Sequence, residues 1–294
     1  MESIYWDNSY NSILLVNFVI VIGWFACIRF FLGAVAHVDT SEQLFKKDNP
    51  AFGLSMTGVV FAVAILLSGL IFGGPDINLI SSSIKFMVFG VTGIVLMILT
   101  RIIFDKITLP DISLRKEINK GNVAVAIADT GNVLAAAIIL RAVMMWITDD
   151  TLNSIMALIA AYAISQAILT LATFIRRKIF RMRKTGYSIQ QELKDGNVAL
   201  ALAFAGRKIG TALAFVVAAN IVVYEIYEIQ NILLPWALVS IAIIFVLKLV
   251  SFIAEKAVLF GVDMDHEILA QKNPAAGALR AVIYISMALL LAEI

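Results

Sequence analysis

The sequence predicts an all-α membrane protein with eight transmembrane helices, built from four parallel two-helix repeats with both termini outside, on the periplasmic side. Three observations carry that prediction. Of 294 residues, 61% are hydrophobic and only 15% charged, with a mean hydropathy of +0.93, a balance that does not describe a water-soluble protein. Eight apolar runs each approach the ~20 residues a helix needs to span a bilayer. A sequence unit recurs four times at a spacing of about 75 residues.

The apolar runs lie near 12–35, 50–73, 83–104, 122–147, 152–175, 197–224, 230–252 and 273–293. No basic segment precedes the first run, which therefore reads as a retained helix rather than a removable signal peptide. Numbered in order, the odd connectors carry fifteen Lys and Arg residues, and the even connectors and both termini carry none. Cytoplasmic segments hold the Lys and Arg excess of a membrane protein, so the odd connectors are expected in the cytoplasm. Glu2, Asp7, Asp76, Asp149, Asp150, Glu225, Glu228 and Glu293 then fall on the outer side. The run RRKIFRMRK at 176–184 suits anionic lipid head groups, although anchoring the topology at mid-chain is its plainer use. With 23 basic against 21 acidic residues, a net charge of +2 makes no case for nucleic-acid binding. The single cysteine, Cys27, excludes an intrachain disulfide and is expected as a small buried hydrophobe.

The repeated unit opens as NPAFGLSMTG from Asn49, NVAVAIADTG from Asn122, NVALALAFAG from Asn197 and NPAAGALRAV from Asn273. Each Asn is expected to cap the second helix of its unit, with Pro50 and Pro274 at the first helical position. Four positive helix starts at one end would also attract anions if they converged. At about 100° per residue, offsets 2, 6, 9 and 13 from each Asn share one face. That face reads Ala51, Ser55, Gly58, Ala62; Ala124, Ala128, Gly131, Ala135; Ala199, Ala203, Gly206, Gly210; and Ala275, Leu279, Val282, Ser286. Fourteen of these sixteen residues are small, the pattern of a close-packing seam between helices in lipid.

The opposite face carries the ionisable residues Asp129, Lys208 and Arg280. Asp129 and Arg280 share an offset, about 10 Å from their caps, and are expected to pair. Arg207 neighbours Lys208, and Arg141 lies near the outer end of its helix, where it can snorkel. Charges at membrane depth mark a substrate or proton path by default, and a neutral structural salt bridge is the competing explanation for Asp129 and Arg280. The first helices of the units are expected to form a lipid-facing ring, their Arg29, Arg101 and Lys248 snorkelling to the cytoplasmic surface. In the fifth helix Tyr162, Ser165, Gln166, Thr170 and Thr173 make a polar stripe suited to interhelical hydrogen bonds.

No P-loop, dinucleotide fingerprint or H-E-x-x-H motif is present, so neither an enzyme nor a cofactor is expected. His266, beside Asp263, Asp265 and Glu267, reads as part of a solvated acidic connector rather than a metal site, and His37 lies in another connector.

The segments LRKEINKGNVAVAIADTG and IQQELKDGNVALALAFAG carry a family resemblance through Glu117, Asn122, Ala124 and Gly131 and through Glu192, Asn197, Ala199 and Gly206. The pattern resembles the YjfL-like family of bacterial inner-membrane proteins, catalogued as domain of unknown function 350, over essentially the whole chain. Glu42 and Glu267 depart from it, standing seven and six residues before their Asn instead of five. The resemblance implies a bacterial inner-membrane location and no settled activity. A typical member looks like two units, so residues 1–147 and 148–294 read as tandem halves. The expected function is a channel or transporter for an ion or small charged solute, with Asp129, Arg280, Lys208, Arg207 and Arg141 as its intramembrane charges. The alternative is a non-transporting scaffold whose connectors dock a cytoplasmic partner in envelope-stress or assembly work. A homo-oligomer is compatible with either.

Overall fold

A computed structural model describes residues 8–36, 39–72, 78–146, 151–184, 186–222 and 229–293, and among these it contains helices and no strand. Eight helices are long and apolar enough to cross a membrane: α1 (Asn8–Ala36), α2 (Pro50–Phe72), α3 (Leu79–Ile103), α5 (Val123–Met144), α6 (Thr151–Arg183), α8 (Val198–Ile221), α9 (Ile229–Val258) and α11 (Pro274–Ala292). Three short helices, α4 (Leu114–Asn119), α7 (Ile189–Lys194) and α10 (Met264–Leu269), fold the connectors at one end, called the basic end below. Two π-helical turns, Glu42–Lys46 and Phe104–Thr108, precede α2 and α4. Most of the basic run 176–184, read from sequence as connector, is the last two turns of α6. Cations there face the negative end of the helix dipole, which favours continuing the helix. The expected outer-side acids other than Glu293, His37, and the side chain of Arg29 lie outside the described residues. Cys27 is exposed on α1 rather than buried.

The four Asn residues do cap their helices. Each Oδ1 accepts from a backbone N–H in the first turn, at 3.1 Å for Asn49, 3.2 Å for Asn122, 3.0 Å for Asn197 and 3.1 Å for Asn273. The other half of the amide reaches the next repeat. Asn49 Nδ2 donates to Ile118 O at 2.9 Å, Asn122 Nδ2 to Leu193 O at 3.1 Å, and Asn197 Nδ2 to Ile268 O at 3.0 Å. One side chain thus satisfies the orphan donors of one helix and the orphan carbonyls of the following connector helix. A side-chain oxygen from the residue's own connector accepts from the amide: Gln43 for Asn49 at 3.0 Å, Glu117 for Asn122 at 3.2 Å, Glu192 for Asn197 at 2.9 Å and Glu267 for Asn273 at 2.9 Å. Glu267 therefore plays the same part as Glu117 and Glu192 despite its altered spacing, whereas in the first unit Gln43 fills it and Glu42 pairs with Lys47 at 2.9 Å. The residue before each Asn is left-handed: Gly121 and Gly196 in the middle units, but Asp48 at φ 46° and Lys272 at φ 52° in the outer two.

The small-residue face packs each second helix on the next. A Cβ on Gly58 would meet Thr130 at 2.7 Å, Gly131 lies against Ala205, and Gly206 against Ala281, contacts that leave no space for a side chain. In every case offset 9 of one unit meets offset 8 of the next. The contact is heterologous, and it arranges α2, α5, α8 and α11 in an open row with no extended contact between α2 and α11. The two exceptions in the sequence pattern, Leu279 and Val282, stand on the face of α11 that has no following helix, and both are exposed. The first helices lie against this row as a second layer, α3 bridging α2 and α5, α6 bridging α5 and α8, and α9 bridging α8 and α11. That corrects the expected ring. Buried share follows position: 72% of the spans in both α5 and α8, against 39% in α2 and 22% in α11 at the ends of the row.

Asn197, fully buried, joins two repeats, whereas among the described residues Asn273 bonds only within its own unit. Asn197→Ala is expected to lower unfolding free energy by about 2–4 kcal/mol, the loss of a cap plus an unsatisfied buried carbonyl. Asn273→Ala is expected to cost about 1 kcal/mol, the cap alone. Reversible unfolding in mixed micelles measures both, and equal losses would show that the inter-repeat bond adds nothing.

Candidate functional site

Asp129 and Arg280 of the second helices face the other layer, and each meets a partner there. Asp129 on α5 is fully buried and receives a two-pronged hydrogen bond from Arg101 on α3, Nη2 to Oδ2 at 2.7 Å and Nε to Oδ1 at 3.2 Å. Ser55 on α2 donates to Asp129 Oδ2 at 2.8 Å and accepts from Arg101 Nη2 at 3.0 Å. Arg101 therefore does not snorkel. Arg280 on α11 donates to Glu255 Oε1 on α9 at 2.6 Å through Nη2 and at 3.1 Å through Nε, and to Asp265 Oδ1 on α10 at 3.1 Å through Nη1. The expected Asp129–Arg280 pair does not form, because α5 and α11 are separated by α8 in the row and each charge is neutralised across the layers instead. Asp265, outside the spans, also pairs with Lys184 at 3.0 Å. Burial alone would raise its pKa, but hydrogen bonds and charge from Lys184 and Arg280 outweigh it and hold the carboxyl below its usual range. Asp263 caps α10, Asp265 bonds Arg280 and Glu267 bonds Asn273, so the acids around His266 are engaged in the fold.

Lys208 is different. Only 3% exposed, it starts eleven residues into α8, about 16 Å along a helix and so near the middle of a ~30 Å hydrocarbon core. Its Nζ lies 5.6 Å from the ring centre of Phe104 and 6.0 Å from that of Phe204. Among the described residues no carboxylate comes within ion-pair distance of Lys208, Arg207 or Arg176. Arg176 on α6 is close enough to repel both Lys208 and Arg207, and Arg207 also feels Arg280, Tyr284 and Glu255. Asn132, the repeat equivalent of Arg207 on α5, and Gln166 on α6 bury amide nitrogens that meet no hydrogen-bond acceptor. Three other members of the fifth-helix stripe bond within their own helix or to α3: Tyr162 pairs with Thr100 at 3.1 Å, and Ser165 and Thr173 donate to carbonyls of α6. Arg141, at the end away from the connectors, donates to Ser68 Oγ at 2.9 Å, tying α5 to α2.

Sequence reading thus singles out Asp129, Lys208, Arg207 and Arg280 as intramembrane charges and misses the contacts of Arg101, Arg176, Ser55 and Glu255 with them. One signal was available: Arg101 and Arg176 stand at the same distance, twenty-one residues, before Asn122 and Asn197. The basic run is also dispersed in function, since Arg177 donates to Thr108 O at 2.7 Å and Lys184 holds Asp265.

A family model described as a Domain of Unknown Function (DUF350) matches the chain three times, over residues 6–144, 78–219 and 150–294. Successive matches begin one two-helix repeat apart, so any two consecutive repeats satisfy it. No curated protein and no solved structure matches the chain.

Arg101→Met leaves Asp129 buried without its cation and is expected to cost about 3 kcal/mol. Adding Asp129→Leu is expected to recover most of that loss in a double-mutant cycle, and strict additivity would mean the two side chains do not interact. For Asp265 the folded pKa is depressed, so its contribution to stability is complete above the unfolded value of about 3.9 and is lost as pH falls through the folded value. The stability difference between the parent and Asp265→Asn is therefore expected to be constant from pH 7 to 5 and to shrink below about pH 4; a difference unchanged by acid would contradict the pairing.

Proposed function

The chain belongs to the Domain of Unknown Function 350 family, and from that premise, which supplies no activity, we propose that it is a channel or transporter for a small anionic solute. The single observation that carries this reading is Lys208, a basic side chain buried at membrane depth beside Arg176 and Arg207, with no carboxylate among the described residues in ion-pair contact. Two aromatic faces at 5.6 and 6.0 Å, near the outer limit of cation–π contact, are worth about 2 kcal/mol each to a desolvated cation. Burying an ion costs several kcal/mol after relaxation, and three like charges repel one another besides. The aromatic contacts leave that cost incompletely offset, and a mobile anion would offset it. The orphaned amides of Asn132 and Gln166 supply further donors between the same layers. Asp129 and Arg280, each neutralised by the other layer, hold the layers together and need not touch the solute. The location proposed is the bacterial inner membrane, with the basic end in the cytoplasm as the Lys and Arg bias requires. A scaffold reading draws less support, because the connector acids Glu117, Glu192 and Asp265 are engaged in the Asn clasps and with Arg280.

The test is anion flux by purified protein in liposomes, with chloride, phosphate and glutamate gradients beside empty vesicles. Flux selective for anions, reduced at least tenfold in Lys208→Gln with the protein still folded, is the expected result. Cation-selective current, or no flux from folded and inserted protein, would overturn the proposal.

A further inference from the structure

A cavity of about 210 Å³ lies in the first half of the chain, between α1, α2, α3 and α4 and away from Lys208. Its walls change character along its length. Val59 and Val63 of α2, Ile94 and Met97 of α3 and Val133 of α5 make one end apolar. Arg101, Asp105, Lys106, Arg115 and Asn119 line the other, at the basic end. From Phe52 to Val63 the α2 wall runs eleven residues, about 16 Å of helix. Half of a ~30 Å hydrocarbon core is about 15 Å, so the cavity has the depth of one leaflet.

The charges at its mouth are unequal. Asp105 gives one oxygen to Leu114 N at 2.7 Å and the other to Lys106 at 3.0 Å, yet the Lys106 side chain is 73% exposed. Arg115 is exposed, and no carboxylate among the described residues pairs with it. Arg101 spends Nε and Nη2 on Asp129 and Ser55, while its Nη1 makes no hydrogen bond to protein. An apolar slot of leaflet depth, ending in an excess of cationic donors at the height of the head groups, matches one molecular shape: a single acyl chain continuous with an anionic head.

We infer that this cavity is a binding site for an anionic phospholipid of the leaflet at the basic end, one acyl chain lying along α2 and α3 and the phosphate against Lys106 and Arg115. The site is independent of the transport reading, since it shares no residue with the Lys208 group. A bilayer supplies its occupant at high local concentration, and Coulomb attraction of about 1 kcal/mol per basic residue near an anionic surface favours an acidic head over a zwitterionic one. Bound there, the chain would fill the gap between the two layers beside the Arg101–Asp129 pair and keep water from it.

The experiment is native mass spectrometry of the full chain after detergent exchange into mixed micelles holding equal phosphatidylglycerol and phosphatidylcholine. One retained phosphatidylglycerol per chain, favoured at least tenfold over phosphatidylcholine, is expected. Lys106→Gln with Arg115→Gln is expected to bring that preference close to parity while a lipid is still retained. Ile98→Trp, which enlarges a half-buried wall residue, is expected to abolish retention, with elution volume and helicity confirming that the chain stays folded. Met56→Trp provides the same obstruction from α2 should Ile98→Trp fail to fold. Equal retention of both lipids, retention undiminished by either tryptophan, or displacement of phosphatidylglycerol by an equimolar free fatty acid would each overturn the assignment.

Discussion

The structure depends on how closely one helix backbone can approach the next inside lipid. No hydrophobic force drives helices together there, because lipid tails are as apolar as the side chains; packing and hydrogen bonds must do it. Gly131 against Ala205 and Gly206 against Ala281 permit that approach, and they do so with different faces of the same motif. A face that accepts a different face makes a directional joint. Repeating it four times yields a row with two unlike ends, and the burial gradient, the exposed Leu279 and Val282 and the second layer on one side all follow from that geometry.

The Asn clasp sets the height of each helix in the row. A glycine seam resists sliding only weakly, since one small residue resembles another one turn away. Hydrogen bonds from Asn49 to Ile118, Asn122 to Leu193 and Asn197 to Ile268 are specific to one register, and they sit where both helix ends have backbone groups to satisfy. The left-handed residue before each Asn turns the chain sharply enough to bring the connector's Glu or Gln side chain back onto the amide. Asp48 and Lys272 hold that conformation without glycine, at an expense of about 1–2 kcal/mol each for the crowded Cβ.

The number of spans, the fourfold repeat, the caps and the packing seam are all legible in the sequence, because each rests on local periodicity or on the chemistry of a single residue. The Asp129 partner is not. Helical phase says which face a residue occupies and leaves open which neighbour covers that face, so Arg280 at the same depth looks like a partner until α8 is seen to stand between them. A row and a ring impose the same phase on consecutive helices and differ only at their ends. The trace of that difference is present in the sequence: both large residues among the sixteen seam positions belong to the last unit. Gln43 escapes notice for a different reason, since Glu42 next to it matches the acidic pattern while the backbone turn presents the other residue to Asn49.

Repetition also makes the unequal charges interpretable. Arg101 and Arg176 occupy equivalent positions, and in the first case the facing helix answers with Asp129. In the second the equivalent residue is Phe204, and the same helix adds Arg207 and Lys208 rather than an acid. One copy of the joint is neutral and closed by a bidentate pair, as a purely structural contact between layers would be. The other accumulates positive charge at a depth where each unpaired ion carries a free-energy cost. Both copies share one backbone scaffold, so packing alone gives no reason for them to differ. The imbalance is a property of the second half's side chains, whereas Asp129 and Arg280 are each neutralised by a facing partner.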